Sequence, residues 1–331
     1  MPGQAEAVTT ASSSCIKPYL AANKTGLQAT PASWMGQIGA LQPLPGHPSW
    51  DGADNAQTGA YLASTDEMFV GGVAASYVHD GTSTAVHNLF AVKASTGALV
   101  TSFLPNVNGA VTGMTLSCDG TGLYIVGTFT QVNGQARNHA AEVSVANGQL
   151  LPWNPHPDGT PYDVAVVAGH VLVGGNFHHI GGAAHAYISA VNPTTGRAGN
   201  WVHVTISGPV NSGSVLVGRI IGSPDQSKIA LLGNFLNANG TYHSRIAFLR
   251  VTTRAARLLP WATNYTKPTG YQGCNPNFGW KERDGMFSPD SQTFREAATG
   301  GYAKPGKYGT TYRSICDSVT AWDVSATALR N

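Results

Sequence analysis

The sequence predicts an all-β fold, a β-propeller of four-stranded antiparallel blades, and three observations lead to this prediction. A short apolar run that ends in glycine and an aromatic residue recurs along the chain, with first glycines at 71, 127, 174, 233 and 300. The intervals of 56, 47, 59 and 67 residues are in the range of propeller blades. Turns and aromatic residues recur in step with this motif, and no segment has a convincing helical period of 3.6 residues.

Each unit divides into four predicted strands. A tight turn, such as Ser-Pro-Asp at 223–225, joins the first strand to the strand that carries the glycine motif. An Asn/Gly loop then leads to a third strand, and a further turn, such as 146–148, leads to a fourth. One such sheet cannot bury both of its faces, whereas a ring of stacked sheets can. We count five repeats, at about 58–108, 109–158, 159–208, 209–265 and 271–331, and a ring of five to seven blades is consistent with this count.

The low charge of the chain excludes several classes of protein. Only 19 Lys+Arg and 17 Asp+Glu occur among 331 residues, or 11%, against about 25% in an average soluble domain. A coiled coil or a charge-driven disordered chain is therefore not expected. The net charge is only +2, and the sequence contains no run of basic residues that would bind nucleic acid. No apolar stretch is long enough for membrane insertion.

Three regions are predicted along the chain. Residues 1–14 form a small, Ser/Thr-rich, disordered lead, which we interpret as the start of a mature secreted protein, with a cytosolic protein as the alternative. Residues 15–57 are rich in proline and weakly patterned, and we expect them to pack on the ring or to close it. Residues 58–331 form the propeller domain.

Four cysteines, an even number, favour an oxidising compartment. Of the three connectivities that four cysteines allow, one would pair Cys274 with Cys316 inside the last unit and Cys15 with Cys118, which would tie the N-terminal segment to a turn. Four free thiols are the alternative. The spacing of cysteine and histidine does not match a zinc site, so no metal and no other cofactor is expected.

Part of the sequence also resembles a known family. The run from Leu123 to Asn138, continuing to Leu151-Pro152-Trp153-Asn154-Pro155, is similar to the repeat of secreted actinobacterial propeller proteins related to the delta-60 repeats. The last unit, with 287–290, 299–302 and 316–319, resembles a later blade of these proteins. The resemblance covers about 58–325. It implies a propeller that is exported, and says almost nothing about activity, because such proteins mostly lack an assigned function and often accompany adhesive or glycan-binding modules.

The first candidate site lies at the mouth of the central channel. Aligning the units on their Ser-Pro-Asp turns places Gly113, Asp163, Arg219 and Asp284 at one equivalent position of the innermost strand, with about Ala60 in the first unit. Tyr162 and Arg283 are adjacent to this position. Two carboxylates and a guanidinium there would bind a polar ligand or a cation; an ion-pair girdle that only satisfies the blades is the alternative.

A second candidate site is formed by the loops that enter the third strand. Arg137, His185 and His243 are equivalent there, with His87 and His139 one residue further along, and such a ring of side chains would contact sugars or anions. The alternative is that each side chain binds carbonyl groups of its own loop. His178 and His179 are adjacent and would point to opposite faces of a strand, which argues against a metal site.

The aromatic residues fall into two groups. Phe103, Trp153, Trp201 and Trp261 recur once per unit, which indicates core residues between blades rather than sugar platforms. Trp280 lies outside this pattern, in a polar and aromatic segment from Tyr271 to Arg283 that we predict to be a recognition loop.

These features favour a secreted binding propeller that recognises a glycan or a cell-surface ligand through its loops. One alternative is a structural module that presents protein subunits within a larger secreted assembly, such as a toxin. The other is a glycan-active hydrolase or lyase, in which Asp163 and Asp284 would be the catalytic pair. The chain contains no nucleophile elbow, zinc-protease motif or phosphate-binding loop, so catalysis is the less expected function.

Overall fold

A computed structural model describes residues 55–210, 213–261, 281–299 and 318–325, and the described chain is entirely β-structure. Its longer strands form five successive sheets in which these strands are antiparallel, and we call these sheets, with the small hairpins attached to them, blades 1 to 5. The chain is therefore a β-propeller, as the sequence predicts. No part of these residues forms a helix that could cross a membrane.

The strands follow one plan from blade to blade. Blade 1 contains β1 (Asn55–Leu62), β2 (Glu67–Val73), β3 (Ser76–His79), β4 (Thr82–Ala85) and β5 (Leu89–Lys93). Blade 2 contains β6 (Val111–Leu116), β7 (Gly122–Gly127), β8 (Gln131–Val132), β9 (Gln135–Ala136) and β10 (Ala140–Ser144). Blade 3 contains β11 (Pro161–Val167), β12 (His170–Gly175), β13 (His179–Ile180), β14 (Ala183–Ala184), β15 (Ile188–Val191) and β16 (Ala198–Gly199).

Blade 4 has three short strands in addition to this plan. It contains β17 (Val202–His203), β18 (Ile206–Ser207), β19 (Leu216–Gly222), β20 (Lys228–Asn234), β21 (Asn237–Ala238), β22 (Thr241–Tyr242), β23 (Ile246–Val251) and β24 (Ala256–Leu258). Blade 5 contains β25 (Lys281–Phe287), β26 (Thr293–Thr299) and β27 (Ser318–Asp323). All four strands, from the innermost outward, are present in blade 3 (β11, β12, β15 and β16) and in blade 4 (β19, β20, β23 and β24).

A small hairpin interrupts each of the first four blades between its second and third strands. In blades 1 to 3 these hairpins are β3–β4, β8–β9 and β13–β14, and in blade 4 β18 joins β21 and β22. They correspond to the predicted Asn/Gly loops. Asn133 and Gly134 have φ angles of 51° and 75°, the left-handed conformation that Asn and Gly adopt at low steric cost.

The predicted turn between the first two strands also forms, and its side chains explain its sequence. In blade 2, the hydroxyl of Ser117 donates to the Asp119 carboxylate at 2.6 Å, and the same carboxylate oxygen accepts the amide of Thr121 at 3.1 Å. Ser223 and Asp225 form the same pair in blade 4 at 2.6 Å. The turn therefore satisfies its own polar groups, as Ser and Asp commonly do in turns.

The hydrophobic core lies between consecutive blades. One buried cluster joins blades 1 and 2, and further clusters join blades 2 and 3, 3 and 4, and 4 and 5. The predicted interblade aromatic residues are at the centre of these clusters, one in each, and are at most 7% exposed: Phe103, Trp153, Trp201 and Trp261. The prediction that they are core residues is confirmed.

Candidate functional site

A β-bulge recurs at the start of every innermost strand. The pairing of the first two strands shifts by one residue between Ala56 and Thr58 in blade 1, and at the equivalent place in the other four blades. A bulge bends the strand and redirects the side chains beside it. Because the five strands are equivalent, the five bulges lie at the same end of the innermost strands.

A glycine opposite the bulge makes this geometry possible. Gly127, Gly175 and Gly233 pair with the residue before the bulge in blades 2, 3 and 4. A Cβ atom at Gly127 would overlap the carbonyl oxygen of Ala110, and one at Gly233 would overlap that of Leu216. In blades 2 to 4 the recurring glycine thus leaves room for the carbonyl of the bulged strand, whereas blade 5 has Ala298 at this place.

The residue that follows each bulge differs from blade to blade. Blades 2 to 5 carry Gly113, Asp163, Arg219 and Asp284, so the predicted equivalence of these four residues is confirmed. The counterpart in blade 1 is Thr58, which pairs with Gly71, and the prediction of Ala60 is wrong. The error arises because the bulge adds one residue to the strand without a recognisable residue type.

Asp163 connects two blades. Its Oδ1 atom accepts the amide of Val164 at 2.9 Å, and its Oδ2 atom accepts the amide of Ile220, on the innermost strand of blade 4, at 2.7 Å. Burial raises the pKa of Asp163 to about 6. The charge of Arg219 and the two amide bonds oppose this increase, and the charge of Asp284 adds to it.

The other polar side chains at this level have more freedom. Arg219 is partly exposed and donates from Nη1 to the carbonyl of Gly218 at 3.2 Å. Asp284 is exposed and accepts the amide of Gly285 at 2.8 Å. Among the side chains that the structure describes, none at this level forms an ion pair within 4.0 Å, because the three such pairs all lie elsewhere. The charges are therefore close enough to interact without neutralising one another by contact.

Two residues adjacent to the bulge complete this end of the channel. Tyr162 is the bulged residue of blade 3 and is partly exposed. Arg283 is the bulged residue of blade 5, and its side chain lies outside the described part. Trp280 and the predicted recognition loop from 271 also lie outside the described residues, apart from the backbone of 281–283.

The loop residues are on the same face of the propeller as the bulges. In blade 2 the residue before the bulge, Val111, pairs with Gly127, the last residue of β7. The hairpin β8–β9 begins four residues later, at Gln131, so it lies at the same end of the blade as the bulge. Arg137 donates to the carbonyl groups of Ala136 and Leu151, at 2.9 and 3.4 Å, within its own blade. His185 is partly exposed, whereas His243 is only 5% exposed and burial lowers its pKa. Of the three, Arg137 and His185 are partly exposed and His243 is buried.

The loop alignment needs one correction. Asn88, His139, Tyr187 and Arg245 are equivalent, because each has a left-handed φ between 66° and 70° and begins the third strand in the same way. His139 therefore lies two residues beyond Arg137, and the predicted offset of one residue is wrong. His87 lies one residue before Asn88 and keeps its predicted place.

The two adjacent histidines of blade 3 bind different partners. His179 Nδ1 lies 2.7 Å from Asp158 Oδ2, and His178 Nε2 lies 3.1 Å from the hydroxyl of Tyr187. The pKa of Asp158 is lowered to about 2 because it accepts the backbone amides and the ring of this pair, although partial burial opposes the shift. Within the described part of the chain, no three such side chains are grouped as metal ligands would be.

The four cysteines are described in part. Cys118 is partly buried and disulfide-bonded. Cys15, Cys274 and Cys316 lie outside the described residues, so the predicted pairing remains a prediction.

Comparisons with known proteins show similarity of fold only. No family model matches the sequence, and no curated protein matches it. Among solved structures, Kuenenia stuttgartiensis hydrazine synthase is 12% identical, with a TM-score of 0.49 over 86% of this chain and 67% of that chain. Pseudomonas aeruginosa periplasmic gluconolactonase PpgL is 15% identical, with a TM-score of 0.41 over 81% of this chain and 73% of that chain.

A third similar structure is the β-propeller domain of Myceliophteria thermophila Cps50 (Swd1), at 10% identity and a TM-score of 0.34, over 73% of this chain and 79% of that chain. The chain thus spans about two thirds to four fifths of these structures. At such low identity the named activities do not extend to this protein.

Proposed function

We propose that this protein is a secreted binding propeller that recognises a glycan or a cell-surface ligand at the bulge end of its channel. One observation carries the proposal: five equivalent bulges present five positions occupied by Thr, Gly, Asp, Arg and Asp, whereas the turns, glycines and aromatic residues around them repeat. A position that the fold requires is filled by the same kind of residue in each blade. The unlike residues at this equivalent position therefore support a role in binding a ligand.

The chemistry of these residues suits a hydroxyl-rich ligand. Carboxylates at Asp163 and Asp284 accept hydrogen bonds from hydroxyl groups, Arg219 donates them, and Tyr162 adds a partly exposed ring. Specific polar groups around a concave site commonly fix a ligand's orientation in this way. The adjacent loops, with the accessible His185, would extend the contact surface on the same face.

Secretion is the second part of the proposal. The disulfide at Cys118 supports it, because disulfides persist mainly in oxidising compartments. The resemblance of the repeat to secreted actinobacterial propellers related to the delta-60 repeats supports the same location.

A glycan array with the folded, oxidised protein tests the binding proposal, followed by titration of the ligands found. We expect Arg219→Gln and Asp284→Asn each to weaken binding at least about tenfold, since hydrogen bonds to charged groups contribute about 1.5–3 kcal/mol. Arg254→Gln, at an exposed position of the turn between β23 and β24, remote from the bulge end, is the matched control and should bind normally. Absence of any glycan ligand would refute the proposal and favour a structural module that presents protein subunits.

A specific observation favours hydrolysis or lysis of glycans as a second candidate function. Asp163 has a pKa raised to about 6, whereas Asp284 is exposed, and glycosidases use two carboxylates whose environments differ in this way. Release of reducing ends from a polysaccharide panel, abolished by Asp284→Asn, would establish this function. Binding without any release would reject it.

A further inference from the structure

Four Asn-Gly pairs occur in the sequence, and the structure describes all of them: 108–109, 133–134, 147–148 and 239–240. In such a pair the amide nitrogen of the glycine is able to attack the side-chain amide of the asparagine, because glycine has no Cβ atom to hinder the approach. The attack releases ammonia and leaves a succinimide ring. It requires a glycine amide without a hydrogen-bond partner and an asparagine NH2 group that is free to leave.

Three of these pairs fail one of the two requirements. The amide of Gly148 donates to the carbonyl of Ser144 at 2.8 Å, which occupies the attacking nitrogen. Asn108 donates from Nδ2 to the hydroxyl of Thr130 at 2.9 Å. Asn133 likewise donates from Nδ2 to the carbonyl of Gly148 at 2.9 Å. In the last two pairs the leaving group is therefore held.

The pair Asn239-Gly240 meets both requirements. It forms the two-residue turn of the β21–β22 hairpin, and both residues are exposed. Neither the amide of Gly240 nor Nδ2 of Asn239 forms a hydrogen bond with another residue of the described chain. A Cβ atom at Gly240 would meet nothing within 4 Å, so the surroundings leave this turn room to move.

Thr205 provides two donors to the oxygen on which charge would develop. Oδ1 of Asn239 accepts the amide of Thr205 at 2.8 Å and its hydroxyl at 3.2 Å. Attack on the side-chain amide places negative charge on this oxygen, so both hydrogen bonds strengthen in the transition state, as in an oxyanion hole. Asn133, in the equivalent turn of the β8–β9 hairpin, accepts on Oδ1 only the amide of Asn106 among the described residues, at 2.7 Å.

We propose that Asn239-Gly240 is a self-modification site, which deamidates in the folded protein ahead of the other three pairs. The Gly240 nitrogen gives its proton to hydroxide and bonds to Cγ of Asn239, the Cγ–Nδ2 bond breaks, and ammonia leaves with a proton from water. Water then opens the succinimide at either carbonyl and gives aspartate or isoaspartate. Either product adds a negative charge to a hairpin that follows β20 at the bulge end of blade 4.

Peptide mapping by mass spectrometry, during incubation of the folded protein in mildly alkaline buffer, tests the proposal. We expect the Asn239 peptide to be converted about tenfold faster than the Asn133 peptide, because Asn133 has a bond to its leaving group and one donor fewer on Oδ1. In the urea-unfolded protein the four pairs should react at similar rates. Equal rates of Asn239 and Asn133 in the folded protein would overturn the proposal, and so would an equally large difference in the unfolded chain.

A substitution at Thr205 tests the oxyanion contact directly. Thr205→Val retains the backbone amide and the branched shape at an exposed position and removes the hydroxyl donor. We expect Asn239 to deamidate about threefold or more slowly in this variant, with the rate of Asn133 unchanged. Thr194→Val, which removes an exposed hydroxyl from a turn of blade 3, is the matched control and should change neither rate. An unchanged rate of Asn239 in Thr205→Val would contradict the assignment.

Discussion

Glu142 destabilises the protein as pH rises, and its environment allows the effect to be calculated. It lies on β10, is 9% exposed, and its carboxyl group lies against the backbone of Gly122, where a Cβ atom would overlap Oε1. Burial raises the pKa of Glu142 to about 7, and the charge of Asp119 adds to the increase. The usual value is 4.5.

The sign follows from proton binding. Below pH 4.5 both the folded and unfolded states carry the proton, so folding is not penalised. Between about pH 4.5 and 7 the unfolded chain releases the proton while the folded protein retains it, and the free energy of unfolding falls as pH rises. A difference of about 2.5 pKa units at 1.36 kcal/mol each gives a loss of about 3 kcal/mol, complete above pH 7.

Glu142→Gln keeps the shape of the neutral carboxyl group and removes its titration. We expect the variant to match the original protein at pH 4.5 and to be more stable by about 2–3 kcal/mol at pH 8, measured by urea unfolding at both pH values. Glu67→Gln is the control: Glu67 pairs with Lys93 at 3.0 Å, so its substitution should bring no gain at high pH. Parallel pH profiles of the Glu142→Gln variant and the original protein would refute the reasoning.

Two further predictions concern the repeated core. Gly233→Ala should destabilise the protein by about 3 kcal/mol or more, because the new Cβ atom would overlap the Leu216 carbonyl. At Gly199 the nearest atom to such a Cβ lies at 3.8 Å, so Gly199→Ala should cost less than about 0.5 kcal/mol. Thermal melting compares the two variants, and equal losses of stability would disprove the role of the glycine opposite the bulge. Trp153→Phe removes the hydrogen bond from the indole N–H to the Asn192 carbonyl at 3.1 Å, whereas Trp201 Nε1 has no such partner in the described structure. Denaturant unfolding should therefore show a loss of stability that is about 1 kcal/mol larger for Trp153→Phe than for Trp201→Phe.

The blades could be predicted from sequence because their constraints recur. An aromatic residue such as Trp153 must fill the same space between sheets in each unit, and a turn such as Ser117 to Asp119 must satisfy the same polar groups. Five weak local signals at similar intervals then reinforce one another. The equivalence of Asp163, Arg219 and Asp284 could be predicted for the same reason.

The bulges and Glu142 could not be predicted in the same way. A bulge changes which residues face each other without requiring a particular residue in the bulged strand, so blade 1 was assigned Ala60 instead of Thr58. The glycine opposite the bulge is the signal that could have revealed it, because a Cβ atom at Gly127, Gly175 or Gly233 would overlap the backbone of the bulged strand. A single Glu in a strand sequence predicts a solvent-facing side chain, and only the packing of blade 2 shows that Glu142 is buried.

The arrangement of charge at the channel mouth favours a ligand over an ion-pair girdle. A girdle would stabilise the blades through contacts between opposite charges, yet Arg219 turns to the carbonyl of Gly218, and Asp163 binds backbone amides instead. Direct pairing would also have lowered the pKa of Asp163, whereas burial raises it to about 6. Asp163 thus holds blade 4 in place, while Arg219 and Asp284 retain unused hydrogen-bonding capacity. Asp163→Asn should accordingly reduce both stability and binding, and Arg219→Gln should reduce binding and raise the pKa of Asp163 further, because it removes the charge that lowers this pKa.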